Sequence, residues 1–249
     1  DVAAATANEV VVFNTPGRNA RAVGEFVIGL ILSLLRHIPK SNHYIKQGKW
    51  NDPIEPYYYL RGNEMKHKTL GIVGLGTTGL VVARLAQSMG MQVVGSDPNV
   101  STKISRAHNI KRLSLDDLLA ISDVVSLHLS STADTNNLLN SDNISYMKPG
   151  SYLVNVSAAA LVDQNALLDG LKTYRIAGAA IDVHESHPIL QNNPLMKLDN
   201  VILTPHIAGS TEETIQLQSS MILEDIKRFS NGIMPKRIVN PEIWSKYEK

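Results

Sequence analysis

Cysteine is absent from the 249 residues of the sequence. Its absence excludes a disulfide framework, a thiolate nucleophile and a cysteine-bound zinc ion, and we predict no metal site. An excess of one charge is lacking too, because 24 Lys and Arg residues face 23 Asp and Glu residues and the two signs are interspersed. This balance excludes the basic stripe of a nucleic-acid-binding protein, so a small molecule is the expected partner.

Long apolar runs are missing as well. No run reaches the roughly 18 residues of a membrane-spanning helix, although residues 27–35 are locally rich in apolar side chains. The first residues also lack the charged and then apolar pattern of a secretory signal. We therefore expect no membrane partner and a cytoplasmic protein of one or two domains.

A glycine-rich turn between an apolar run and a helix-like stretch is the most informative pattern that is present. The apolar run covers residues 70–75, and the turn has the G-x-G-x-x-G spacing at Gly74, Gly76 and Gly79. Such a turn brings backbone N–H groups and the positive end of a helix to a pyrophosphate. Asp97 closes the next strand, where a carboxylate binds a ribose hydroxyl and repels a 2′-phosphate. The pattern favours NAD over NADP, although glycines alone can also be structural.

Apolar runs and helix-like stretches alternate along the chain. We predict strands over residues 10–13, 70–75, 91–97, 124–129, 151–157, 176–183 and 201–204. We predict helices over residues 20–37, from the glycine turn to residue 90, from Ser114, over 141–150 and 163–173, and from a capping box at 210–213 to about residue 232. This alternation predicts an α/β fold with a doubly wound parallel sheet. The broad apolar face of the helix over residues 20–37 indicates contact with another subunit or domain.

In such sheets, ligands bind beyond the carboxyl ends of the strands. The candidate segments are therefore residues 130–132, 155–160, 182–188 and 204–209. His206 follows a predicted strand directly, and an imidazole there can exchange the proton that accompanies hydride transfer. A histidine at a strand end is structural more often than functional, so its position alone does not decide the matter.

Several further motifs accompany these features. They are Asn14-Thr-Pro-Gly-Arg-Asn19 with Glu25, Gly48-Lys-Trp50, Ser122-Asp-Val-Val-Ser-Leu-His128, Met147-Lys-Pro-Gly150, Leu161-Val-Asp163, Ala179-Ala-Ile-Asp-Val183 and Thr204-Pro-His-Ile-Ala-Gly209. With them the chain resembles the D-2-hydroxyacid dehydrogenase family, whose members are D-isomer specific and include phosphoglycerate dehydrogenase-like enzymes. The resemblance implies NAD-linked interconversion of a 2-hydroxy acid and a 2-oxo acid, with His206 as acid–base. It also implies a cleft against a flavodoxin-like substrate domain, and a homodimer built through the helix that begins near Ala20.

The resemblance also implies a set of cofactor contacts. They fall on Gly74, Gly76, Thr77, Thr78 and Gly79 for the phosphates, Asp97 for ribose, Leu129 and Ser130 for the adenine half, Val156 and Ser157 after the next strand, and Asp182, His206 and Gly209 for the nicotinamide side. Asp182 has a second interpretation, which is the capping of its own strand end.

Two departures from the family pattern affect the catalytic positions. Ala158 stands where the family has the arginine that binds the substrate carboxylate, and His187 stands where it has the glutamate that orients the catalytic imidazole. Alanine cannot replace a bidentate, charge-assisted pair. Glu185 is an alternative partner for the imidazole only if its loop is rearranged. We therefore expect impaired turnover, and the competing hypothesis is a catalytically silent NAD-binding dimer that senses redox state or acts as a scaffold.

The family pattern also divides the chain. We predict the end of a substrate domain over residues 1–17, a dimerisation helix and irregular arm over 18–61, the Rossmann NAD domain over 62–209, and a helix and tail returning to the substrate domain over 210–249. Since this retains only a remnant of a flavodoxin-like substrate domain, we expect a longer gene product.

Overall fold

A computed structural model describes residues 1–247 of the chain. They form two compact units, one of residues 23–208 and the other of residues 1–22 with the chain from Gly209 onward. The four-part division predicted from sequence, including the remnant of a substrate domain, stays a prediction.

The larger unit is built on a parallel sheet. Its strands are β1 Thr69–Val73, β2 Gln92–Ser96, β3 Lys111–Arg112, β4 Val124–Leu127, β5 Ser151–Asn155, β6 Ile176–Ile181 and β7 Val201–Leu203. They lie in the order β3-β2-β1-β4-β5-β6-β7, and every pair is parallel. The order reverses between β1 and β4, so the predicted doubly wound α/β Rossmann sheet is confirmed.

Both units contain helices, and several helices of the larger unit connect the strands of its sheet. In the described residues they are α1 Val2–Ala7, α2 Ala20–Leu35, α3 Ile38–Lys46, α4 Glu55–Tyr59, α5 Thr77–Ser88, α6 Thr102–Ala107, α7 Leu115–Ile121, α8 Ser141–Ile144, α9 Gln164–Lys172 and α10 Glu212–Ser230, with 3-10 turns at Ala159–Leu161, Pro194–Lys197 and Pro241–Lys246. One hydrophobic core includes α2 and α5, and a second includes α7 and α9. Each face of the sheet is therefore buried, as parallel sheets require.

The side chains of α2 show why its apolar face is broad. Val27 and Ile31 are completely buried and Leu35 almost so, in the core that also holds α5 and β1. The breadth of this face is therefore explained by packing within the larger unit. The expectation that this helix also contacts another subunit or domain stays a prediction.

The smaller unit corrects one predicted strand. Residues 10–13 form no strand, and only Phe13 makes an isolated antiparallel bridge, to Ile238. The side chain of Asn240 makes the backbone hydrogen bonds that a neighbouring strand would otherwise make. Its Oδ1 accepts from Val12 N at 2.9 Å, and its Nδ2 donates to the carbonyl of Val10 at 3.0 Å. An apolar run becomes a strand only where a partner strand is available.

Helix starts were predicted with mixed success. Ser114 caps α7 by accepting from Asp117 N, and Asp163 caps α9, as expected. The cap of α10 is Thr211, which accepts from Thr214 N, and not Ser210. The helix therefore starts one residue later than the predicted capping box, because the first acidic pair fits inside its first turn. The arm predicted as irregular contains α4, and α3 precedes it.

Candidate active site and cofactor crevice

The glycine turn lies between β1 and α5. A Cβ on Gly79 would lie 2.1 Å from the carbonyl oxygen of Gly74, so α5 can approach the turn only with glycine at this position. Gly74 itself has a left-handed φ of 98°. A Cβ on Gly76, by contrast, would meet no atom of the described residues within 4 Å. Gly76 therefore faces open space at the start of α5, where the first N–H groups of a helix are free to bind an anion.

The other expected phosphate contacts follow at once. Thr77 and Thr78 form the first turn of α5, with Thr77 exposed and Thr78 half-buried. No acidic side chain lies in that first turn. The start of α5 is consequently free of negative charge that would repel a pyrophosphate.

Asp97 directly follows β2 and is only 8% exposed. Its Oδ2 accepts from Leu75 N at 2.8 Å, and its Oδ1 accepts from Asn99 N at 2.9 Å. The bond from Leu75 ties the carboxylate to the glycine turn, and each oxygen can still accept one more hydrogen bond. A cavity of about 420 Å³ is lined by Asp97, Leu129 and Arg112 among others, beside the position expected for adenosine.

The segment after β5 is a closed turn. Ser157 N donates to Asn155 Oδ1 at 3.1 Å, and Asn155 Nδ2 donates to the carbonyl of Ala158 at 2.9 Å. The hydroxyl of Ser157 donates to the carbonyl of Leu129, which follows β4. Asn155, the first residue of the candidate segment 155–160, therefore shapes this turn. Val156 is buried in the turn, and Ser130, next to Leu129, is exposed.

Ala158 borders open space. It lines a cavity of about 570 Å³ together with Asn136, Asn137 and His184. An arginine side chain at position 158 therefore has room on this side, and alanine leaves the space without a positive charge.

Asp182 organises the segment that carries His206. Its carboxylate is completely buried after β6. Oδ1 accepts from the Thr204 hydroxyl at 2.6 Å and from Ile207 N at 3.0 Å, and Oδ2 accepts from Ala208 N at 2.8 Å. Asp182 therefore has a structural role, since it holds residues 204–208 by three hydrogen bonds. Its contact with nicotinamide stays a prediction.

His206 is exposed and has a left-handed φ of 58°, which is strained for a residue other than glycine. His187 Nε2 lies 3.1 Å from His206 Nδ1. The neighbouring His184 Nε2 lies 2.9 Å from the carbonyl oxygen of Thr204. His184 and His187 therefore contact the two ends of residues 204–206, and Nε2 of His206 is the ring nitrogen left for a reacting group.

His128 is a different kind of histidine. Its Nε2 lies 2.8 Å from the hydroxyl of Ser126, and burial lowers the pKa of His128 to about 4. It stays neutral near pH 7, so it does not exchange protons there. Its carbonyl closes the space beside Gly74, where a Cβ would lie 2.8 Å away.

Gly209 begins the return to the smaller unit, where a Cβ would lie 2.7 Å from Asn19 Nδ2. In the described residues, no group of three or more histidine or acidic side chains is arranged to hold a metal ion. No single helix among residues 1–247 has the length and apolarity of a membrane span, although α2 and α3, bent by 60°, pass that test as a pair.

Residues 28–208 match the family described as D-isomer specific 2-hydroxyacid dehydrogenase, NAD binding domain. The chain is 39% identical over 247 residues to a glyoxylate reductase of Thermofilum pendens, covering 98% of this chain and 72% of that protein. It is 39% identical over 241 residues to a D-3-phosphoglycerate dehydrogenase of Archaeoglobus fulgidus, covering 96% of this chain and 45% of that protein. The chain thus spans about three quarters of one relative and about half of the other.

Solved structures agree with these sequence matches. D-lactate dehydrogenase with NAD⁺ from Lactobacillus jensenii superposes with a TM-score of 0.84 at 25% identity, over 96% of this chain and 74% of that one. The chain belongs to the D-isomer specific 2-hydroxyacid dehydrogenase family. Its cofactor is NAD, which fits the open space at Gly76 and the buried carboxylate of Asp97.

Proposed function

We propose that this protein interconverts a 2-hydroxy acid and a 2-oxo acid, with His206 exchanging the substrate proton. The observation that carries the proposal is the 3.1 Å separation between His187 Nε2 and His206 Nδ1, which leaves His206 Nε2 for the substrate. NAD⁺, when bound, would accept the hydride from C2 of the 2-hydroxy acid. His206 Nε2 takes the hydroxyl proton as the C2–H bond breaks and the carbonyl forms, and it returns that proton in the reduction.

We propose that the cofactor lies along the predicted contacts. Gly76, Thr77 and Thr78 would hold the pyrophosphate at the start of α5, and Asp97 would accept hydrogen bonds from the adenosine ribose. The open space at Gly76 and the remaining acceptor capacity of Asp97 support this placement. Leu129 lines the cavity next to Asp97, in agreement with the adenine side of the same path.

The substitution at Ala158 is proposed to impair turnover. Loss of an arginine–carboxylate pair in a desolvated cleft costs about 3 kcal/mol, or roughly a hundredfold in kcat/KM. We therefore expect slow reduction of 2-oxo acids by the full-length protein. The buried, hydrogen-bonded Asp182 supports the enzyme hypothesis, since it holds the His206 segment in place at a cost in desolvation.

NADH oxidation tests the proposal, with glyoxylate, pyruvate and hydroxypyruvate as substrates. The full-length protein is compared with Ala158→Arg, and with Ala158→Lys as a control that adds charge without the planar fork. The cavity beside Ala158 gives either side chain room. An increase of roughly a hundredfold for arginine and much less for lysine supports the enzyme. If all three proteins bind NADH and none turns over, the protein is the silent NAD-binding alternative.

We propose a homodimer as the assembly, in line with the resemblance. Packing within the larger unit already explains the apolar face of α2, so α2 gives no separate support for a dimer. The support comes from the arm, where Trp50, Tyr57 and Tyr58 are more than half exposed. Large exposed aromatic side chains of this kind are common at protein interfaces. Light scattering on the full-length protein tests this, and a monomer at all concentrations would reject it.

A further inference from the structure

A second large cavity lies at the opposite edge of the sheet, where β5, β6 and β7 begin. Its volume is about 570 Å³, within the range of ligand pockets. The residues that line it and matter here are Lys40, Lys172, Lys197, Tyr59, Tyr152 and Tyr174. Because β6 has six residues at about 3.3 Å each, this cavity lies roughly 15–20 Å from the edge that carries Asp182. A ligand here would not be the substrate of the proposed reaction.

The lining of this cavity is positively charged. Among the described residues that line it, three are lysines and one, Asp199, is acidic, in a chain whose total charge is only +1. Lys40 Nζ lies 4.2 Å from the centroid of the Tyr59 ring, which holds one ammonium at the wall. Lys172 and Lys197 are exposed, and no described residue forms an ion pair with either. The cavity therefore combines positive charge with concave walls, which concentrates anions.

A hydroxyl donor adds to this charge. Tyr152 is half-buried on β5 and lines the cavity, and no residue in the described part of the chain hydrogen-bonds its hydroxyl. Burial raises the pKa of Tyr152, so the phenol stays protonated and able to donate.

Two of the seven described residues other than glycine that have a left-handed φ line this cavity. His37 and Tyr174 have left-handed φ angles of 54° and 56°, and both line the cavity. Such conformations cost of the order of 1–3 kcal/mol each for residues other than glycine and cluster at ligand sites. Tyr174 is nevertheless 73% exposed, so its own burial does not compensate for the strain.

We propose that this cavity binds a small anion of the carboxylate or phosphate class, held by Lys172, Lys197 and the Tyr152 hydroxyl. The three groups come from α9, from the 3-10 turn before β7 and from β5. A bound anion would contact α9, the 3-10 turn and β5 at once, at a site separate from the cofactor crevice.

Isothermal titration calorimetry on the full-length protein without NADH tests the proposal. Citrate and inorganic phosphate are the two probes, in low-salt buffer, and they distinguish a carboxylate from a phosphate ligand. We expect saturable binding of at least one probe at one site per chain. Absence of saturable binding for both probes would overturn the proposal.

Variants locate the binding. Lys172→Gln with Lys197→Gln should weaken it about tenfold or more, and Tyr152→Phe should weaken it severalfold. The matched control is Lys103→Gln with Lys111→Gln, which removes the same charge from exposed lysines outside the cavity and should change the affinity less than twofold. Equal loss in both double variants would show general attraction of anions and would reject the site.

Discussion

His187 points its Nε2 at Nδ1 of His206 across 3.1 Å, so an imidazole occupies the position that a carboxylate has in the family pattern. A neutral imidazole accepts a hydrogen bond from Nδ1 and so fixes the ring of His206, yet it brings no negative charge. His187 therefore orients the ring of His206 but does not supply the negative charge that a glutamate would add.

Replacing His187 by glutamate should restore the charge. The carboxylate would stabilise the positive charge that the His206 ring carries while it holds the substrate proton, so oxidation of a 2-hydroxy acid should be faster in His187→Glu than in His187→Gln, which keeps a hydrogen-bonding group without charge. Measurement of kcat for both variants in the Ala158→Arg background checks this. Equal rates for the two variants would contradict the pairing.

Two glycines of the turn should respond differently to alanine. Gly76→Ala adds a methyl group where no described protein atom lies within 4 Å, so the fold should be unchanged while NADH binding weakens about tenfold or more. Gly79→Ala forces a Cβ to within 2.1 Å of the Gly74 carbonyl oxygen and should destabilise the fold by about 1–3 kcal/mol. Fluorescence titration with NADH and urea unfolding separate the effects. Unaltered NADH affinity in Gly76→Ala would show that the pyrophosphate does not lie there.

Asp182→Ala should be strongly destabilising. It leaves the N–H groups of Ile207 and Ala208 and the Thr204 hydroxyl without their buried acceptor, at a cost of about 2–4 kcal/mol. Thr204→Val removes only one of these bonds and should cost about 1 kcal/mol. Urea unfolding compares the two, and equal small losses would mean that the carboxylate does not hold the His206 segment.

Glu224 should make stability depend on acid pH. Hydrogen bonds from Lys236 and then Arg237 lower the pKa of Glu224 from 4.5 to about 2. A lowered folded-state pKa gives stability that is complete above about pH 4.5 and is lost as the pH falls toward 2. Glu224→Gln should therefore lower Tm at pH 6 and differ little from the parent near pH 2. Glu242→Gln, at an exposed glutamate of the same unit, is the control, and a Tm difference that does not depend on pH would contradict this account.

Local sequence patterns predicted the sheet because buried parallel strands are short apolar runs between turns. The strand over residues 70–75 and the helix cap at Ser114 required nothing beyond neighbouring residues. β3 was missed because Lys111 and Arg112, which pair with β2, have no apolar character. The failure at residues 10–13 has the opposite cause, since the apolar run is there and a neighbouring strand is not.

The candidate site was only partly readable from sequence. The position of His206 followed from its place after a strand, but the bonds around it depend on strand register. Ile181 pairs with Leu203, and this register sets Asp182 against Thr204. Sequence reasoning gave no role to Thr204 or to His184, although the Thr-Pro-His motif contained one of them. The motif indicated the segment, but only the pairing of β6 with β7 shows that the Thr204 hydroxyl donates to Asp182.

A crystal structure of the full-length protein with NADH would show where the cofactor lies. We expect the pyrophosphate against the backbone at Gly76, the adenosine ribose on Asp97 and the nicotinamide ring facing His206 Nε2. A crevice that remains empty at saturating NADH, or a nicotinamide ring directed away from His206, would contradict this placement.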